Sequence, residues 1–324
     1  MRFPAEMNQR KVHIMKTLLP REAVALVTIA LAACTLALPA HAAITVVAAT
    51  PDLADIAKQV GGDRVSVSTI AQANQDLHMI DPRPSDVLRI KRADLVVRIG
   101  MDLDLWMDAL LNAAGNARVN RGGPGYVDCS VGIHKLEVPK EQITGASGDI
   151  HVYGNPHYWL DPLNGEVISA NILAGLKRVS PTNADYFEQN RKAFVAHLRA
   201  AMRRWQERLA PYRGRKIVTY HDGWPYFAHR FSLQVLGCIE PKPGIPPSAS
   251  HIASLIAQIE AEKQPVVIAD APYYPDKAAK IIAARTGARF VVIPSSVGGV
   301  KGADDYIALF DHIVDALAKG FAAK

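Results

Sequence analysis

Short apolar runs alternate with stretches of helical periodicity along most of the chain. Residues 44–50, 65–71, 95–100 and 125–130 read as strands. Between them, residues 52–60, 84–92 and 103–114 repeat their apolar positions at helical spacing. Apolar strands separated by helices predict a parallel sheet covered on both faces. The alternation returns after residue 215, with strands 216–220, 234–239, 266–269 and 290–294 and helices near 252–262, 277–286 and 304–319.

Between these halves, residues 183–209 contain neither Gly nor Pro. Tyr186, Phe194, Leu198, Met202, Trp205 and Leu209 recur there at helical spacing, with Ser180 and Thr182 as candidate N-caps and Pro211 as the stop. At 1.5 Å per residue such a helix is roughly 40 Å long, more than one domain core needs. The expected architecture is α/β, with two domains, each a mainly parallel sheet flanked by helices, joined by one long rigid helix. The boundaries fall at 43–180, 181–211 and 212–324.

Residues 1–42 stand apart from this pattern. Arg10, Lys11, Lys16 and Arg21 precede an apolar stretch from Ala23 to about Pro39 that ends in Ala40-His41-Ala42. That is the layout of a secretory signal peptide, with the mature chain starting near Ala43 and exported. A rival reading takes Leu31-Ala32-Ala33-Cys34 as a lipoprotein box with Cys34 lipidated. The stretch is short of the roughly 20 apolar residues a membrane span needs, and Glu22 stands near its start.

The charge balance changes with it. Residues 1–42 hold five of the 37 basic and two of the 31 acidic side chains, leaving 32 against 29, a net +3 in place of +6. So small a basic excess argues against a nucleic-acid surface. Cys129 and Cys238 fall in different predicted domains and read as buried free thiols, and the absence of CxxC excludes a thiolate zinc site.

The candidate chemistry is in three histidines: His78 in QDLHMIDPRPSD, His157 in GNPHYWLDP and His221 in VTYHDGWPYF. Neutral imidazole is the commonest protein ligand for transition metals, and three around one ion is a known zinc arrangement. In open α/β sheets ligands bind beyond the carboxyl ends of strands. His221, Asp270 and Ser295 follow predicted strands directly, and His78 and His157 lie in loops after strands, so all five belong to one cleft. His134 and His151 share the loop with His157 and suggest a metal-collecting arm. His197, His229 and His312 read as solvated or helix-packing residues, and His251 lies near a helix start. Asp161 and Asp222 read as helix-capping or loop-bonding carboxylates. A P-loop, HExxH and GxSxG are all absent, which removes the common ATPase, zinc-peptidase and α/β-hydrolase readings.

The stretches LHMIDPRPSDVLRIKRADLVVRIG, PHYWLDPLN, TYHDGWPYFAHRF and EPKPGIPPSA resemble the metal-specific solute-binding proteins of ABC importers, the TroA-like or ZnuA-like group. The resemblance covers residues 44–320. It implies two α/β domains joined by a long helix with the metal between them, and no enzymatic activity. His78, His157 and His221 match the first three ligand positions, and a histidine at 221, where manganese-type members carry glutamate, resembles the zinc type. The chain departs from the family at Ser295-Ser296-Val297-Gly298, where an aspartate is usual. Either Asp270 or a water then completes the tetrahedron. The long His- and Asp-rich loop of many zinc-type relatives is also reduced to EVPKEQITGASGDIHVYGN.

The resemblance therefore implies a periplasmic receptor that carries Zn(II), rather than Mn(II), to an inner-membrane permease, with a monomer the default for such a delivery protein. A free zinc chaperone or buffer, an exported zinc hydrolase and an adhesin-like surface protein are the rival classes. Affinity is expected to fall below about pH 6.5, where ordinary imidazoles protonate. The long helix should limit hinge closure.

Overall fold

The computed structural model describes residues 43–140, 151–263 and 266–322. The signal segment with Cys34, and residues 141–150 of the shortened loop, lie outside the described residues.

Residues Ala43–Lys324 form one compact unit that contains two four-stranded sheets. In the first, β1 (Ile44–Ala48) lies between β2 (Val65–Thr69) and β3 (Leu95–Arg98), and β4 (Tyr126–Asp128) extends the β3 side. In the second, β5 (Lys216–Thr219) lies between β6 (Gln234–Cys238) and β7 (Val267–Asp270), and β8 (Arg289–Val292) extends the β7 side. Every pairing is parallel. In each sheet the chain steps outward from its first strand and then crosses to the other side of it. A crevice opens at that reversal, beyond the carboxyl ends of the strands.

Local signals set the helix ends. Thr50 caps α1 (Pro51–Gly61) by accepting from the Leu53 N–H, and Gly62, at φ 57°, ends it where a Cβ would be strained. Pro84 opens α2 (Pro84–Lys91), and α3 (Trp106–Ala114) stops at left-handed Gly115. Two helices were not delimited by periodicity, α4 (Asn164–Val179) and the two-turn α6 (Pro225–Phe231). Gly165 and Gly175 dilute the apolar pattern of α4, yet close packing requires Gly165. A Cβ there would lie 2.8 Å from the Tyr306 ring and 3.0 Å from Leu198.

The long helix is α5 (Ala184–Leu209), 26 residues. Its expected caps are not used. Pro181–Asn183 forms a 3-10 turn, Ser180 Oγ accepts from Asn183 Nδ2 at 2.8 Å, and Asn183 occupies the cap position without a side-chain bond. The buried stripe runs through Phe187, Phe194, Leu198, Met202, Trp205 and Leu209, with Phe187 rather than Tyr186 in the core. It packs on α1 and α4 on one side and on α9 (Tyr306–Ala322) on the other. Helices α7 (Ala249–Glu260) and α8 (Lys277–Thr286) cover the far face of the second sheet. A single apolar cluster runs from β1 through α5 to β5 and α9, with a smaller cluster on the outer face of each sheet.

Polar bonds reinforce the junction between the two sheets. Asp52, at the start of α1, accepts from Ser296 Oγ at 2.7 Å and from the Val297 N–H at 3.0 Å. Asp55 accepts from the Tyr306 N–H at 2.9 Å, and Arg230 grips Asp161 with two bonds of 2.7 Å. Asp161 also accepts from the Leu163 N–H, the loop-bonding role expected of it. Cys129 and Cys238 are free thiols. No helix among the described residues is long and apolar enough to cross a membrane.

Candidate metal centre

His78 lies in a 3-10 turn, Leu77–Met79, in the loop beyond β2. The Asp76 carboxylate accepts its N–H at 2.9 Å, and Trp106 Nε1 donates to the Leu77 carbonyl at 3.1 Å, so the turn is fixed at both edges. His157 immediately precedes a second 3-10 turn, Tyr158–Leu160. That turn is anchored from below, because the buried Tyr158 hydroxyl donates to the Ile99 carbonyl at 2.8 Å. From above, Tyr306 donates to the Trp159 carbonyl at 2.6 Å and Trp159 Nε1 to the Ser295 carbonyl at 3.0 Å. His221 follows β5 by two residues, and Thr219 Oγ1 donates to its carbonyl at 2.9 Å.

One ligand atom from each of His78, His157 and His221 lies within 4.8 Å of the other two. The Nε2 atoms of His78 and His157 are 3.4 Å apart. His157 and His221 are buried, and His78 is half-buried. Burial first, then repulsion from His221 and His151, holds the His78 pKa down to about 3. Burial and the same crowding of imidazoles hold His157 well below its ordinary value. Rings kept neutral offer a lone pair to a cation.

Outer contacts decide which nitrogen is offered. His157 Nδ1 is 2.9 Å from Asn155 Oδ1, an oxygen that also accepts the His157 N–H at 3.0 Å. The Asn155 amide is itself committed, donating to Glu137 Oε2 at 2.9 Å and to the Asp222 carbonyl at 2.7 Å. His221 Nδ1 meets Oε1 of the buried Glu240. Both partners are acceptors, so each Nδ1 carries its proton and each Nε2 keeps its lone pair. Sequence reading missed Asn155 and Glu240. Strand register was the available signal: β5 and β6 pair Thr219 with Cys238, so two residues further on His221 and Glu240 emerge side by side.

The other expected residues are positioned differently. Asp270 ends β7 and is buried, but it is not in the group of mutually close ligand atoms. Neither of its oxygens has a hydrogen-bond partner. Burial pushes its pKa up to about 8. Ser295 Oγ pairs with the Tyr273 hydroxyl at 3.0 Å, and both line the inner wall behind the histidines. His151 stands 5.1 Å, ring to ring, from His78 and lines a cavity of about 280 Å³ outside the triad with Glu137 and Asp222. His134 is exposed and is not in that lining. His251 bonds the Cys238 carbonyl at 2.9 Å, and His197 and His229 face solvent.

Comparison with known proteins places the fold in a family. The family model described as zinc-uptake complex component A, periplasmic (ZnuA), matches residues 46–320. The chain belongs to the ZnuA family. The iron-binding protein YfeA of Yersinia pestis is 28% identical over 82% of this chain and 83% of that protein. The high-affinity zinc uptake system protein ZnuA of Paracoccus denitrificans is 27% identical over 88% and 94%. A crystal structure of ZnuA superposes with a TM-score of 0.74 at 26% identity, covering 86% of this chain and 99% of that one. The ZnuA fold thus accounts for both sheets and the long helix, while the names of the relatives include iron as well as zinc.

Proposed function

We propose that this chain is the periplasmic receptor of an ABC importer, that its cargo is zinc, and that His78, His157 and His221 hold the ion. The observation that carries this reading is the convergence of three imidazoles, two of which, His157 and His221, set Nδ1 against an acceptor and so leave Nε2 available. Three nitrogen donors suit Zn(II), whereas Mn(II) favours oxygen. The match to a zinc-uptake component supports the partner, an inner-membrane permease that receives the ion.

Asp270 completes the tetrahedron in this reading. Its carboxylate is buried with unfilled oxygens at the carboxyl end of β7, beside the strand that leads to His221. A cation offers what the surrounding apolar groups do not, relief of that desolvation. Competitive titration of the protein and of Asp270→Ala with Zn(II) and Mn(II) tests both parts together. Tight one-to-one zinc binding, with Mn(II) weaker by decades, supports the receptor. A further loss of about tenfold or more in Asp270→Ala supports the carboxylate, and an unchanged affinity assigns the fourth position to water.

The depressed histidine pKa values alter the expected pH dependence. At pH 5.5 an ordinary imidazole of pKa 6.5 is only about one-tenth neutral, so three of them would lose about 10³ in affinity. Two of these three stay neutral there, because their protonated forms are disfavoured by burial and by one another. His78 and His157 therefore add little to the pH dependence. The fall from pH 7.5 to 5.5 is carried mainly by Asp270, whose carboxyl, pushed up to about 8, must lose its proton to bind, so that wild type should lose about 10²-fold and Asp270→Ala less. Titration of both proteins in non-chelating buffers at the two pH values checks this, and an equal drop in Asp270→Ala would contradict it.

A further inference from the structure

Glu240 has two carboxylate oxygens, and each is used on a different side of the metal centre. Oε1 meets His221 Nδ1, and Oε2 accepts the Gly244 N–H at 3.2 Å. The residue is buried at the end of β6, and its own N–H donates to the Tyr220 carbonyl at 3.1 Å. Gly244 belongs to a tight loop in which Lys242 and Ile245 bridge, with Ile245 N–H donating to the Lys242 carbonyl at 3.0 Å. Gly244 adopts φ 76°, the left-handed region that suits glycine. From Pro241 to Ser248, the cap of α7, this loop mostly faces solvent, while Pro243 lines the cavity in front of the histidines.

We propose that Glu240 is a positioning residue that transmits the loading state of the triad to the 241–248 loop, holding that loop in place when the ion is bound. This rests on the receptor reading above. A cation on His221 Nε2 draws electron density from the ring, strengthens Nδ1–H as a donor and fixes the ring's orientation. The carboxylate is then held from one side and holds Gly244 from the other. Only a group that accepts at both ends can do this. A glutamine must turn its NH₂ either toward the Gly244 N–H or toward Nδ1. In the first case the loop is released. In the second, Nδ1 must accept, the ring proton moves to Nε2 and the ligand atom is blocked.

Amide hydrogen exchange over residues 241–248, with and without zinc, tests the link in the wild type and in Glu240→Gln, alongside the competitive titration. In the wild type, zinc should slow exchange at the loop several-fold. In Glu240→Gln, affinity should drop about 10- to 100-fold, the usual consequence of losing an outer partner. At saturating zinc the variant's loop should exchange as it does when empty. Tight zinc binding by the wild type with unchanged loop exchange overturns the inference while leaving the receptor reading intact, and needs no variant to fold. Equal slowing in Glu240→Gln overturns it too. A wild type without tight zinc binding instead overturns the receptor reading itself.

Discussion

Replacing His157 with alanine lowers zinc affinity by on the order of 10³-fold, beyond the roughly 10- to 100-fold that loss of an outer partner costs. The argument is geometric. His157 is the most constrained of the three imidazoles, with its N–H and Nδ1 both set against Asn155 and the following turn tied to Ile99, Tyr306 and Ser295 through Tyr158 and Trp159. Its Nε2 therefore needs little reorganisation to meet an ion. Removing it leaves only His78 and His221 as nitrogen ligands. His221→Ala should lose a similar amount and should also free Glu240. His197→Ala, on the exposed face of α5, serves as the control with unchanged affinity. An affinity within threefold of wild type in either cavity variant would dissolve the idea of a shared centre.

Asp52→Asn should stabilise the protein at neutral pH by about 3 kcal/mol relative to wild type, and hardly at all near pH 4. Burial pushes the Asp52 carboxyl up from its ordinary 3.8 to about 6, although Ser296 and the Val297 N–H pull it back. The folded protein thus holds this proton more tightly than the unfolded chain does. Stability from this group is complete below about pH 3.8 and is lost as pH rises through about 6. Asparagine keeps the geometry, accepting from the Val297 N–H through Oδ1 and donating to Ser296 through its amide. It has no charge to desolvate. Urea midpoints of both proteins at pH 4 and pH 7.5 measure this. A variant no more stable than wild type at pH 7.5 would show that the carboxylate is better satisfied than its burial implies.

The central strands were legible because buried parallel strands are apolar on both faces, and the observed ends of all eight strands fall within about two residues of the apolar runs. The long helix was legible because a run of 27 residues without Gly or Pro leaves few alternatives. Helix α4 was harder to delimit, since its two glycines serve contacts with Tyr306 and with Val127 that are remote in sequence. The same remoteness hid the junction bonds: Asp52 and Ser296 are 244 positions apart, and neither motif announces the other. Within the site, strand-end logic singled out the histidines, and the structure brings the three together. It did not single out Glu240, although the same logic applies one strand over, because a lone glutamate before a proline reads as an ordinary loop residue. The choice between Asp270 and water was open in the sequence, and the local geometry favours the carboxylate only as a charge in need of a counter-ion.

The core shared through α5 also has a consequence for how the chain acquires its shape. Seven apolar positions on that helix face inward, and part of their partner surface is the 17-residue α9, made after every element it packs against. A chain growing from its amino end cannot complete the first sheet's packing on its own, since the rod that covers it waits for Tyr306 and Phe310. Folding of such a topology depends on contacts of long sequence separation, which are slow to form and leave apolar surface open in the interval. The packing around the long helix is thus completed late, and until the final helix arrives the apolar stripe of α5 keeps part of its partner surface open.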